Sequence, residues 1–394
     1  MVSPLKGIRI LDFSRFMQGP HGSRMLADMG AEVIRVESVD SGAADRYTGL
    51  RFLNGTGTNF LSMNRNKKSI TVDLKKKEGK EIIYQMIDRM DVLLHNFRPG
   101  VMERLSLDYD SLSSINPRII YCSCSGYGQK GPYRRKGGQD LVVQGMSGLL
   151  TLGSWKEGPP VPQGSFVVDA YAASLVAWGI TLALFYRERT GIGQPIEVCL
   201  LNAAIDMQCQ EVTAYLNTGK IPQKESLEIG HSLEPSPYGV HKTKDGYITL
   251  VGSFSKVCQI LDLAFVEEDS RFSSTRKRIK HREELRLILD EALKQRSTEE
   301  WIKIFDREKV LSGPVYEYSQ LFSDPQVEQN EMVVQFAYPS VGKVKTSGIP
   351  VKLRKSPGEI RIPPPTVGQH TDEILTELGY TKDQIKHLRE RKII

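Results

Sequence analysis

Asp169 is the residue of this sequence best placed to act as a nucleophile. It precedes an apolar, alanine-rich helix that begins at Ala170, and it follows Val167 and Val168. A helix N-terminus favours the ionised form of a carboxylate, and an ionised carboxylate can attack an activated carbonyl group. Apolar neighbours would leave the carboxylate poorly solvated and therefore reactive. A plain N-cap carboxylate fits the same position, so the local pattern leaves both roles open.

A second group of polar and aromatic side chains directly follows a predicted strand. Asn96, Phe97 and Arg98 could hydrogen-bond, stack on and neutralise a nucleotide-like ligand, and Arg104 would add a second cation. Open α/β sheets bind ligands at the carboxyl ends of their strands, which is where this group lies. A helix-entry turn with solvated arginines is the alternative on local grounds.

The sequence lacks the motifs of several common enzyme chemistries. Gly19 and Gly22 do not have the spacing of the dinucleotide-binding fingerprint, and Pro20 stands where a backbone N–H is needed. The sequence contains neither a nucleophile elbow nor a phosphate-binding loop. Its five cysteines and seven histidines do not have the spacing of metal ligands. We therefore expect no metal site and no nicotinamide cofactor.

Strand patterns alternate with helix patterns over the first half of the chain, which predicts an α/β fold with a parallel sheet. The predicted helices cover residues 21–29 and 78–90 and the apolar stretch that begins near Asp169 and ends at Gly191. The predicted strands cover residues 8–13, 31–37, 69–74, 91–95, 118–122 and 195–199.

The length of 394 residues favours two domains. Periodicity fades between Leu216 and Pro237, where a domain boundary is expected. A hairpin (238–251) and two helices (283–294 and 299–305) follow, and Ser297 and Glu300 form a capping box for the second helix. Short strands at 332–336 and 342–345 precede helices at 371–378 and 382–389. The predicted segments are 1–215 (large), 216–325 (small α+β) and 326–394.

Composition and charge favour a cytoplasmic protein that binds a small molecule. The formal net charge of +6 is spread along the chain, so no nucleic acid partner is expected. Residues 1–9 lack the apolar run of a secretory signal, and the few cysteines fit a reducing compartment. The apolar stretch from Ala170 to Tyr186 is short for a membrane span, which favours a core helix and no membrane partner.

The order and spacing of several short motifs are similar, nearly end to end, to the class III CoA-transferases. This family includes formyl-CoA and carnitine CoA-transferases. The motifs that carry the resemblance are Gly19-Pro20, Gly30 to Glu37, Asn64 to Ser69, Asn96 to Gly100, Gly126 to Gly128, Asp169 with its helix, Thr190 to Gln194, and Val367 to Thr371.

The resemblance implies an interlocked homodimer. Each chain would have a Rossmann-like large domain, built from both chain ends, and a smaller α+β domain. It also implies that Asp169 attacks an acyl-CoA and passes through an aspartyl anhydride and an aspartyl-CoA thioester. Acyl-CoA and a free carboxylic acid would be substrates, and no cofactor would be bound permanently.

The resemblance also places a CoA pocket and an acyl pocket. Gln139 and Asp140 would contact the substrate, although formyl-CoA transferases have Tyr where Gln139 stands. Ser38 replaces an Arg of those enzymes, and no Gly-rich loop precedes the hairpin, so formate and oxalate are not the expected pair. Gln139, Arg134 and Arg135 instead favour a small dicarboxylic acid as acceptor and succinyl-CoA as donor. The CoA-binding residues implied are Met17, Gln18, Val72, Lys75, Asn96, Phe97, Arg98, Arg104 and Lys136.

Two other functions are compatible with parts of the pattern. The α-methylacyl-CoA racemases of the same superfamily have a His immediately before the Asp of a Gly-His-Asp motif, whereas this chain has Gly138-Gln139-Asp140. Glutamine does not exchange a proton usefully near neutral pH. A non-catalytic CoA-binding protein would need no reactive Asp169, and trapping an aspartyl adduct would separate it from a transferase.

Overall fold

The strands of the protein are short and concentrated in its first half. The computed structural model describes residues 2–153, 158–220 and 234–394. The strands in these ranges are β1 (Arg9–Asp12), β2 (Glu32–Glu37), β3 (Phe52–Leu53), β4 (Thr56–Gly57), β5 (Lys67–Thr71), β6 (Val92–His95), β7 (Ile120–Ser125), β8 (Pro195–Cys199), β9 (Gly239–Lys242), β10 (Tyr247–Val251), β11 (Leu311–Pro314), β12 (Val333–Tyr338) and β13 (Gly342–Ser347).

Helices lie between most of these strands. Those of the described residues are α1 (Gln18–Asp28), α2 (Thr58–Met63), α3 (Lys77–Ile87), α4 (Val101–Leu105), α5 (Tyr109–Ser113), α6 (Asp140–Met146), α7 (Leu149–Leu152), α8 (Val167–Thr190), α9 (Leu200–Asp206), α10 (Cys209–Thr218), α11 (Phe254–Ile260), α12 (Ala264–Glu268), α13 (Thr275–Lys280), α14 (Arg282–Leu293), α15 (Thr298–Arg307), α16 (Tyr318–Leu321), α17 (Pro325–Gln329), α18 (Thr371–Glu377) and α19 (Lys382–Glu390).

The six strands predicted from the first half of the sequence form one parallel sheet in the order β5-β2-β1-β6-β7-β8. This confirms the α/β prediction. Apolar side chains of the central strands, such as Leu11, Ile34 and Leu93, are fully buried. Burial on both faces is typical of parallel sheets covered by helices. The carboxyl ends of all six strands therefore lie along one edge.

The chain divides into two compact units. Residues 1–147, 164–209 and 325–394 form the first unit, which contains the parallel sheet, and residues 148–163 and 210–324 form the second. The second unit has the antiparallel sheet β9-β10-β11. Its hairpin and the capping box of Ser297 with Glu300 were predicted from the sequence and are confirmed. Much of the predicted boundary between 216 and 237 lies outside the described residues, because 221–233 are not described.

Helix α8 begins earlier than the sequence suggested. Its N-cap is Phe166, so Asp169 is the third helical residue and the N-cap alternative is wrong. One face of the helix is buried in the first unit, but the other is exposed, and Trp178 there is 62% accessible. Among the described residues, α8 is the helix long and apolar enough to cross a membrane. Its buried Arg187 is nevertheless ion-paired with Asp91 at 2.6 Å, which fastens the helix to the sheet.

Helices α1 and α8 approach closely at Gly22. A Cβ atom at that position would lie 2.8 Å from Val176 Cγ1 and 2.9 Å from the backbone oxygen of Ala173. Glycine therefore sets the distance between the two helices. The beginning of α1 contributes Met17 and Gln18 to the sheet edge, and the beginning of α8 contributes Asp169, so this packing also sets their relative position.

We expect Gly22→Ala to destabilise the protein by about 1–3 kcal/mol, because the added methyl group overpacks the contact between α1 and α8. The intrinsic preference of a helix for Ala over Gly, about 1 kcal/mol, would offset only part of this cost. Urea unfolding of the variant measures the change. Gly164→Ala is the control, since a Cβ atom there meets nothing within 4 Å. Equal stabilities of the two variants would contradict the packing argument.

Candidate active site

A cavity of about 630 Å³ lies at the carboxyl edge of the parallel sheet. Its lining comes mostly from segments that follow the ends of β1, β2, β6, β7 and β8, together with the start of α8. This is where α/β sheets bind ligands. Of the residues predicted for the site, those lining the cavity are Met17, Gln18, Asn96, Phe97, Arg98, Lys136, Gln139 and Asp169.

Asp169 lines the cavity from the first turn of α8 and is half-buried. Its side chain is not the N-cap of α8, because the N-cap is Phe166. Its backbone N–H instead donates to Oδ2 of Asp140 at 2.9 Å. The carboxyl group of Asp169 is therefore left facing the cavity, where a ligand could meet it.

The environment of Asp169 favours its protonated form. Burial first, and the neighbouring charge of Asp140 second, raise the pKa of Asp169 to about 7. We expected the helix N-terminus to favour ionisation, and the structure corrects this expectation, because desolvation and a like charge both oppose ionisation. A carboxylate with a raised pKa is more basic, and near neutral pH a large share of it is still ionised. This combination suits a carboxylate nucleophile.

Asp140 lies behind the cavity surface. It is the first residue of α6, it is 1% exposed, and Gln144 donates a hydrogen bond to its Oδ1. Its other oxygen holds the backbone of Asp169. The direct contact with substrate that the resemblance implied stays a prediction, because Asp140 does not line the cavity. Its position is that of a residue that orients Asp169 and adjusts its pKa.

Two glycines allow the loop before Asp140 to approach β7. A Cβ atom at Gly138 would lie 2.4 Å from the Cα of Gly126, and one at Gly126 would lie 2.6 Å from the Cα of Gly138. The two backbones therefore cross at a distance that excludes any side chain. This crossing fixes the position of Gln139, which is exposed in the cavity, and of Asp140 next to it.

The predicted CoA-binding turn after β6 is clamped to the turn after β1. Asn96 accepts a hydrogen bond from the backbone N–H of Arg15 at 2.9 Å and donates one to its backbone oxygen at 2.7 Å. The guanidinium of Arg15 also lies 5.2 Å from the centre of the Phe97 ring. The side-chain amide of Asn96 thus forms its hydrogen bonds within the protein, and these bonds hold Phe97 and Arg98 at the cavity.

The cavity is rich in cations. Arg98 and Lys136 line it, and neither forms an ion pair within the described ranges of the chain. The Lys136 ammonium instead lies 5.8 and 5.1 Å from the ring centres of Tyr127 and Tyr133. Arg134 also lines the cavity and lies 3.5 Å from Glu103. Anionic ligands are therefore favoured.

Three predicted CoA-binding residues do not line the cavity. Val72 is buried in the core, and Lys75 and Arg104 are exposed outside it. Their contact with CoA stays a prediction. Several other residues line the cavity without having been predicted for the site, although the positions of some, just after strand ends, could have indicated them. The missed residues include Phe16, Asp45, Leu50, Asn59, Tyr127, Phe166 and Leu200.

Comparisons with known proteins find CoA-transferases and structures of the same fold. The model of CoA-transferase family III matches residues 5–371. The succinyl-CoA:glutarate CoA-transferase of Mus musculus is 37% identical, with 98% of this chain and 89% of that protein covered. The succinyl-CoA–D-citramalate CoA-transferase of Chloroflexus aurantiacus is 30% identical, with 99% and 98% covered. The structure of Rv3272 from Mycobacterium tuberculosis is similar with a TM-score of 0.83 and 30% identity, with 94% of this chain and 98% of that chain covered.

The raised pKa of Asp169 can be measured directly. We expect the carboxyl group to titrate with an apparent pKa of about 7, so that it is mostly protonated at pH 5 and mostly ionised at pH 9. The infrared difference spectrum between the native protein and Asp169→Asn, recorded as a function of pH, isolates its carboxyl band.

Asp140→Asn separates the two causes of this shift. The amide oxygen of Asn can still accept the hydrogen bond from Asp169, but the negative charge is gone, so the pKa of Asp169 should fall while burial keeps it above its ordinary value. An unchanged pKa in this variant would show that Asp140 does not act through its charge.

Proposed function

The chain belongs to CoA-transferase family III, and we propose that it transfers coenzyme A from succinyl-CoA to a small dicarboxylic acid with Asp169 as the nucleophile. The observation that carries this proposal is the half-buried Asp169 carboxyl group in a cavity that is also lined by the cations Arg98, Arg134 and Lys136.

The proposed reaction runs through two intermediates on Asp169. Its carboxylate attacks the thioester carbon, the C–S bond breaks, and an aspartyl anhydride and CoA thiolate form. The thiolate attacks the aspartyl carbon, the bond from that carbon to the bridging oxygen breaks, and the first acid leaves as its carboxylate, which gives an aspartyl-CoA thioester. The incoming carboxylate attacks that thioester and forms a second anhydride, and the thiolate returns to the new acyl group. Asp169 is then a free carboxylate again, and no net proton transfer is needed.

Two observations support a dicarboxylic substrate. The relatives named above act, by their names, on succinyl-CoA with glutarate or citramalate, and each of these acids has a second carboxylate. In this chain, Arg98, Arg134 and Lys136 line the same cavity as Asp169. CoA carries its own phosphates, and the cations that do not bind them remain for the distal carboxylate of the acyl group.

A panel of acyl-CoA donors and carboxylic acid acceptors, analysed by mass spectrometry, tests the substrate class. We expect kcat/KM for succinyl-CoA with glutarate to exceed that for butyryl-CoA with valerate by about 10-fold or more, because hydrogen bonds to charged groups contribute about 1.5–3 kcal/mol. These monocarboxylic substrates retain the chain length and lack only the distal charge. Equal turnover of both pairs would contradict the dicarboxylate proposal while leaving a CoA-transferase.

Asp169→Asn tests the nucleophile. Asn has the same shape but cannot form an anhydride, so we expect kcat to fall by about 1000-fold or more. Borohydride reduction after mixing with succinyl-CoA should label Asp169 in the native protein and leave the variant unlabelled. Undiminished CoA exchange by the folded variant would exclude the proposed mechanism.

The exposed face of helix α8 supports the homodimer that the resemblance implied. Trp178, Leu182, Phe185 and Tyr186 are all between 46% and 62% exposed, and their helical spacing puts them on one face of α8. The opposite face of the helix is fixed to the sheet by Arg187 and by its packing on Gly22, which favours a protein partner over a membrane for the exposed face. We infer that a second copy of the chain covers this surface.

Trp178→Glu combined with Leu182→Glu places two charges on this surface. We expect the native chain to have the mass of a dimer in size-exclusion chromatography with light scattering, and the variant to shift towards monomer. Leu287→Glu, at a residue 55% exposed in the second unit, is the control. A monomeric native chain, or its binding to lipid vesicles through this surface, would contradict a dimer.

A further inference from the structure

Phe16 has an unusual backbone conformation for an aromatic residue. Its φ angle is +67°, in the left-handed region, where bulky side chains are rarely found. Its side chain is also 55% exposed. Neither property is favourable in the free protein, because the backbone is strained and the ring is left in water. Strain of this kind persists where the surrounding structure imposes it, often at functional sites.

The neighbours of Phe16 impose this conformation from both sides. On one side, the two hydrogen bonds of Asn96 hold the backbone of Arg15. On the other side, Met17 is the N-cap of α1, and its backbone oxygen accepts the hydrogen bond from the N–H of His21. A relaxed φ at Phe16 would have to move one of these anchors. The chain therefore has little freedom to turn the ring elsewhere.

This conformation places the ring in the wall of the active-site cavity. Phe16 lines it together with Asp169, Phe166 and Leu200. No other bulky aromatic residue of the described chain has a positive φ angle. An exposed aromatic surface in a cavity gains stability when a ligand covers it. Parts of the acyl group and of the pantetheine arm of CoA are apolar and could cover the Phe16 ring.

The proposed intermediates need protection from water. Water could attack the acyl carbon of the anhydride, breaking the C–O bond to Asp169 and releasing the free acid with regeneration of the aspartyl carboxylate. It could equally attack the aspartyl-CoA thioester and release CoA thiol. Either path converts acyl-CoA and water into acid and CoA, and no transfer occurs. Excluding water is what separates a transferase from a hydrolase here.

We propose that Phe16 is the residue that excludes water from the acylated Asp169, with its ring held over the bound acyl-CoA by the strained backbone. This inference rests on the proposed function, since it concerns the intermediates of that reaction. Phe16 supplies no group that reacts, so its removal should change the fate of the intermediates more than the rate at which they form.

The test is the ratio of hydrolysis to transfer. Native protein and Phe16→Gly are incubated with succinyl-CoA and glutarate, and free CoA and glutaryl-CoA are quantified over time. We expect the hydrolysis-to-transfer ratio to rise about 10-fold or more in Phe16→Gly, because water gains access to the intermediates. Glycine adopts a positive φ freely, so this variant should also unfold at a higher temperature than the native protein.

Two further variants make the outcome decisive. Phe16→Leu keeps an apolar side chain over the site, and its ratio should stay near the native value. Phe265→Ala, at a 64% exposed aromatic residue in the second unit, should leave the ratio unchanged. A folded Phe16→Gly with the native ratio would overturn the inference. Failure of the native protein to transfer CoA at all would instead overturn the proposed function, so the two failures are distinguishable.

Discussion

The site depends on two carboxyl groups held next to each other in a poorly solvated place. Asp140 accepts the backbone hydrogen bond of Asp169, and its charge, added to the effect of burial, raises the pKa of that residue. A nucleophile must be ionised, whereas this environment favours the proton. Near neutral pH this environment still leaves part of the Asp169 carboxyl group ionised. The raised pKa makes that carboxylate more basic, and a basic carboxylate forms stronger bonds to carbon than a well-solvated one. Nucleophilicity here is gained at the expense of solvation.

Buried ion pairs hold the segments that surround this carboxyl pair. Arg35 reaches Asp45 at 2.5 Å, and Glu37 reaches Arg46 at the same distance, all with side chains shielded from water. Such pairs add little net stability, since desolvation offsets most of their attraction. Their geometric effect is larger, because a charged partner cannot move without leaving an uncompensated buried charge. They fix the segment after β2, from which Asp45 and Leu50 reach the cavity.

Periodicity and turn signals were sufficient to predict the parallel sheet, the hairpin of the second unit and the capping box at Ser297. They misplaced the start of α8, because Val167 and Val168 are β-branched and resemble the end of a loop more than a first helical turn. The sequence indicated Asp169 but not the direction of its pKa shift, since Asp140 is 29 residues away and its proximity depends on tertiary packing. Phe16 carried no local signal, because a positive φ angle at an aromatic residue is imposed by distant anchors such as Asn96.

Several departures from ordinary protein structure converge on one cavity, and this supports a functional site independently of any likeness to known proteins. Phe16 is strained and exposed. Asp169 is desolvated beside a like charge, and the cations Arg98 and Lys136 have no carboxylate partner in the described parts of the chain. The strain at Phe16 and the desolvation of Asp169 cost stability in the free protein. The exposed cations Arg98 and Lys136 are available to an anionic ligand, whose apolar arm would cover the Phe16 ring. Unfavourable features concentrated at one place are expected where stability has been exchanged for binding and catalysis.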